Sequence, residues 1–213
     1  MITVPDMVQQ PRRVVFHSVS FIMTVKFQNY LLENAIAFVS VFSMAYIMIW
    51  FGSFELEVGS YMYLPLGAKI LMYLIFGYRV FPGVIAACLA GGIVLMDSWG
   101  GNLFIGMLSA CAGAVAPILA MCFMNLTHVS NFSKLSKIDF RHVLFLVVFT
   151  SVISALLKFF VYMQDVTLNI NAVTFITHYI RGDVIGGLVV IYLALGFVAP
   201  IIERSYTKKT AHF

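Results

Sequence analysis

Four ionisable side chains stand inside apolar stretches of this sequence. Lys69 lies in LPLGAKILMYLIFGYRVFPG (64–83), Lys158 in SALLKFFVY, and Arg181 and Asp183 in YIRGDVIGG. An ionised group at the centre of a hydrocarbon core costs about 2.5–3.5 kcal/mol on insertion scales, so it faces a bundle interior, a partner or water. Three cations and one carboxylate leave a net positive site, the chemistry that receives a carboxylate or a phosphate. Lys69 and Arg181 are the expected anion contacts, and Asp183 is expected to pair with Lys69 when the site is empty. Lys158 joins these ligand-binding candidates, although it lies close enough to a span end to snorkel to the interface.

Other chemistries leave no trace. The five histidines and three cysteines show no metal-ligand spacing. No Ser/His/Asp arrangement, phosphate loop or paired-carboxylate site is visible, so neither a cofactor nor an enzymatic activity is expected.

The elements that must position these charges follow from composition. Of 213 residues, 62% are hydrophobic and 10% charged, against roughly 25% charged in a soluble domain. That composition specifies an all-α integral membrane protein. A span needs about 20 mainly apolar residues, and six runs qualify: 33–52, 61–78, 80–97, 103–125, 141–163 and 176–201. The expected organisation is a cytoplasmic segment over 1–32, a transmembrane bundle over 33–201 and a basic cytoplasmic tail over 202–213. Residues 14–25 are too short to cross and are flanked by basic residues, which predicts an amphipathic helix on the membrane surface.

Orientation follows from charge. Arg12, Arg13, Lys26, Arg79, Lys134, Lys137, Arg141, Arg204, Lys208 and Lys209 all fall on one side of a six-span arrangement, ten of the 13 basic residues. Lys and Arg favour cytoplasmic loops near span ends, so both termini are predicted to face the cytoplasm. Because the basic residues flank spans instead of forming one basic surface, nucleic acid is not an expected partner.

Small residues predict where helices meet, since close backbone approach drives association in lipid. Gly83, Ala87 and Gly91 recur every fourth residue on the third run, and Gly106, Ala110 and Ala114 do so on the fourth, which predicts that these two helices pack together. Gly182 and Gly186 form a similar seam on the sixth. Pro117 is expected to kink the fourth run. Trp50, Trp99, Tyr61, Tyr63 and Tyr162 are expected to anchor helices at the headgroups.

Three segments, LPLG (64–67), GYRVFPGV (77–84) and RGDVIGGLVV (181–190), resemble the first class of bacterial membrane-associated sensor domains, the MASE type. Pro65, Gly67, Arg79, Pro82, Gly182 and Asp183 match the family's recurring residues. The resemblance implies a multi-helix module of the bacterial inner membrane that senses a signal and is usually fused to a kinase, cyclase or similar output domain. No output domain follows the last run here, so the expected function is a sensor that binds a small anionic ligand from outside and signals through a separate kinase or cyclase. The alternative is the substrate-binding membrane subunit of a small-solute or vitamin transporter, working with a coupling subunit.

Overall fold

The computed structural model of the chain describes residues 10–50, 62–94, 102–129, 140–165, 171–194 and 196, with the backbone alone for 10–26, 49 and 140. The expected tail over 202–213, the loop cations Lys134 and Lys137, and the anchors Tyr61 and Trp99 lie outside the described residues.

Every regular element among the described residues is helical: α1 (Gln10–Trp50), α2 (Leu64–Phe76), a 3-10 turn (Gly77–Val80), α3 (Phe81–Val94), α4 (Leu103–Leu126), α5 (Phe140–Tyr162) and α6 (Ala172–Leu193). Five segments are long and apolar enough to cross a membrane: Phe27–Met48, Leu64–Val94, Leu103–Leu126, Arg141–Tyr162 and Ala172–Leu193. The chain is a multi-pass helical membrane protein. The second and third of the six expected runs share one of these segments.

That segment differs from two full spans for a local reason. Pro65 fits only the first turn of a helix, where its missing donor costs nothing, so α2 begins at Leu64 beside its N-cap Tyr63. Gly77, with φ of 72°, ends it in a conformation that disfavours any side chain. The 13 residues between measure about 20 Å, short of a hydrocarbon core of about 30 Å. Pro82 then opens α3 in the same way.

The helix directions alternate. Gly83 and Gly91 of α3 meet Asn34 and Ala45 of α1, so these two run parallel. Gly67 of α2 meets Gly187 and Val190 of α6, another parallel pair. Phe159 and Tyr162 of α5 pack on Phe175 of α6, whereas Val147 meets Gly187, which makes α5 and α6 antiparallel. Asn102 reaches Asp165, and the Phe123 and Phe149 rings pack 5.4 Å apart, so α4 and α5 are antiparallel too. Neighbours close a ring in the order α1, α3, α4, α5, α6, α2, with α2 also touching α4 and α5. Arg79 and Arg141 consequently lie at one end of the bundle, and Asn102 and Asp165 at the other.

Two expectations change here. Helices α3 and α4 do pack together as expected, but the Gly83 and Gly91 seam itself faces α1, because a Cβ at Gly83 would overlap the Asn34 backbone. Residues 14–25 are not a separate element: α1 is one helix of 41 residues, about 60 Å. No glycine or proline falls between Arg12 and Trp50 to break it.

Asn34 holds the 3-10 turn in place. Its amide donates to the Tyr30 and Arg79 carbonyls at 2.9 and 3.2 Å, and it accepts from the Gly83 N–H at 2.8 Å. Gly83 sits one residue past Pro82, where helix α3 still has unpaired backbone donors. Asn34→Leu is therefore expected to destabilise the bundle by about 1–2 kcal/mol, read as a lower thermal midpoint in detergent with helix content retained.

Candidate functional site

Lys69, Lys158 and Asp183 are 1%, 5% and 1% exposed, and they converge inside the ring from α2, α5 and α6. Three local features bring them there. The first is the docking of the α2 start on α6. The Tyr63 N–H donates to the Gly182 carbonyl at 2.9 Å, and the Tyr63 backbone covers Gly186 so closely that a Cβ there would overlap it. Helix α2 thus begins level with Gly182 and Gly186, 10 or more residues into α6, and its first turn opens at mid-depth.

The second feature explains Lys69. Pro117 lies inside α4 and has no N–H to give the carbonyl four residues back, that of Gly113. Lys69 Nζ donates to this carbonyl at 3.0 Å, and one turn further along α2 the Tyr73 hydroxyl donates to Ala114 O at 3.1 Å. The lysine thereby supplies the donor that proline removes. Gly113 also leaves room for both ammonium groups: a Cβ there would stand 3.3 Å from Lys69 Nζ and 3.5 Å from Lys158 Cε.

The third is a pair of tyrosines. Lys158 Nζ lies 4.6 Å from the centre of the Tyr63 ring and 4.7 Å from that of Tyr179, and Lys69 Nζ lies 5.2 Å from Tyr63. Such cation–π contacts are worth about 2 kcal/mol when desolvated. Lys158 therefore turns into the bundle and does not snorkel outward. Tyr179 continues into an aromatic stack, 4.4 Å from Phe175, which packs edge-on against Tyr162 at 5.4 Å. These rings cap the site toward the Asn102 end, while Leu66, Leu146 and Val147, all fully buried, floor it toward the Arg79 end.

Asp183 does not pair with Lys69 as expected. Lys69 is held by Gly113, and Asp183 Oδ2 is buried with no hydrogen-bond partner. Both ammonium groups lie within electrostatic reach of the carboxylate. Ser154 and Thr150, on the same face of α5 as Lys158, are fully buried; Ser154 stands beside the Asp183 carboxylate, and the Thr150 hydroxyl has no hydrogen-bond partner. Arg181 is not brought to the cluster, because its side chain is exposed on the outside of α6.

Sequence reasoning missed Gly113, Tyr179, Ser154 and Thr150. Gly113 was legible in principle, since Pro117 frees that carbonyl by a fixed rule. Tyr63 and Tyr162 are not headgroup anchors: Tyr63 lines the site and Tyr162 is 7% exposed in the aromatic cap. Trp50, 80% exposed at the end of α1, remains where an anchor belongs. Compared with protein-family models, curated proteins and solved structures, the chain matches none.

Proposed function

We propose that the chain is a sensory module of a bacterial inner membrane, with both termini in the cytoplasm. It binds a small solute through an anionic group entering from the outer side and passes a change in helix packing to a separate kinase or cyclase. The observation that carries this reading is the Lys158 ammonium, 5% exposed and held against the Tyr63 and Tyr179 ring faces inside the bundle. Desolvating an ammonium is expensive, and a bound anion offsets that cost.

Access is from the Asn102 end, on the side of α2. Among the described residues α2 begins at Leu64, and Tyr63 is partly exposed. Arg79 and Arg141 lie at the opposite end, and the positive-inside pattern expected from the sequence favours the Asn102 end as the outer one. The residues that resemble the MASE type have definite places in the fold: Pro65 lies in the first turn of α2, Gly67 packs on Gly187 and Val190, and Pro82 follows the Arg79 turn. A ligand shifts the bundle by its differential affinity for two arrangements, and the α2–α6 seam beside the site is where they differ.

The half-length α2, opening at mid-depth, favours a second reading, since transporters place broken helices at their substrate sites. Vesicles carrying this chain alone separate the two. The sensor binds acetate or phosphate without accumulating it, and Lys158→Met weakens that binding by about tenfold or more, about 1.4 kcal/mol, while the protein stays folded. Accumulation of labelled solute inside the vesicles would establish transport, and unchanged binding in the variant would remove the site.

A further inference from the structure

Beside Lys69, the cluster holds one further charge of each sign. Lys69 is committed to the Gly113 carbonyl. Lys158 on α5 has two tyrosine faces, and Asp183 Oδ2 on α6 has no partner at all. Building on the anion site described above, we propose that its ligand is a small zwitterion of the amino-acid type, its carboxylate on Lys158 and its ammonium on Asp183.

The alternatives each leave a buried charge exposed to loss. A plain carboxylate or phosphate on Lys158 satisfies the ammonium but places a second anion near Asp183, and like charges in a low-dielectric interior repel. A simple amine satisfies Asp183 and leaves Lys158 facing a cation. A zwitterion answers both, and its zero net charge matches the sum of the two free groups.

The hydroxyls add to the match. Thr150, Ser154 and Lys158 recur every fourth residue on one face of α5. A serine or threonine in a membrane helix commonly satisfies itself on the carbonyl four residues back, as Ser151 does on Val147 O at 2.8 Å. Thr150 and Ser154 make no such bond, and both are 0% exposed. The Thr150 hydroxyl, and that of Ser154 beside Asp183, share the α5 face of Lys158, where they can hydrogen-bond a polar ligand lying along the helix.

The test uses the full chain in lipid nanodiscs and calorimetric titration with glycine, β-alanine and γ-aminobutyrate, set against acetate and methylammonium. The best-fitting amino acid is expected to bind about tenfold or more tightly than either single-charge probe. Asp183→Asn is expected to bring it to within about twofold of acetate. Should that variant fail to fold, the wild-type comparison decides alone. Equal binding of acetate and all three amino acids would overturn the zwitterion while leaving the anion site standing. Binding of methylammonium alone, or of none of the probes, would overturn both.

Discussion

Gly186→Val is expected to abolish the folded bundle, at a cost of at least about 3 kcal/mol. The Cβ of any residue at this position would overlap the backbone N, C and O of Tyr63. Backbone has no rotamer to escape through, so α2 would have to leave α6, breaking the Tyr63–Gly182 hydrogen bond and emptying the seat of Lys69. Gly91→Ala supplies the contrast. Its Cβ would meet the Ala45 Cβ at 3.6 Å, an ordinary contact, and the change is expected to lie within about 0.5 kcal/mol of neutral. Thermal unfolding of the two variants in detergent reads both. Equal stability would mean that α2 does not rest on α6.

Lys69→Met is expected to cost about 2 kcal/mol, because it leaves the Gly113 carbonyl buried without a donor. The informative number is the coupling with Pro117. Pro117→Ala restores an N–H to that carbonyl from within α4, after which Lys69 is no longer needed as its donor. A double-mutant cycle is therefore expected to show Lys69→Met less costly by about 1–3 kcal/mol in the Pro117→Ala background. Independent, additive effects would show that Lys69 is held in the bundle by something other than the gap that proline leaves. The measurement needs no ligand, which separates the architecture of the site from its occupant.

Much of the architecture was legible in the residues, and the failures have physical causes. Apolar runs located the described helices of the bundle, and lone charges inside them marked Lys69 and Asp183 as interior, whereas Lys158, close to a span end, could equally have snorkelled to the interface. Run length alone hid the half-helix: Pro65 and Gly77 already mark the start and stop of the 13-residue α2, but the apolar stretch continues on both sides of them. The basic residues around 14–25 suggested a break in α1 that a chain lacking glycine and proline does not make. Which surface a small-residue seam covers is a tertiary matter, so Gly83 and Gly91 could have met α4 or α1. Likewise, Tyr63 has the same composition-level signature whether it anchors at a headgroup or faces two lysines. Arg181 and Asp183 are two residues apart and thus on opposite sides of α6, which was readable from spacing and separates the exposed cation from the buried carboxylate.

The central claim is that the mid-depth start of α2 opens to the outer side beside Lys158 and Asp183. A single cysteine tests it directly: Tyr63→Cys in a chain whose Cys88, Cys111 and Cys122 are alanine, probed in oriented vesicles with a membrane-impermeant thiol reagent. Reaction from the outer face only, slowed when the preferred amino acid or acetate is present, is the expected result. Reaction from the inner face only, or labelling that no solute slows, would contradict it.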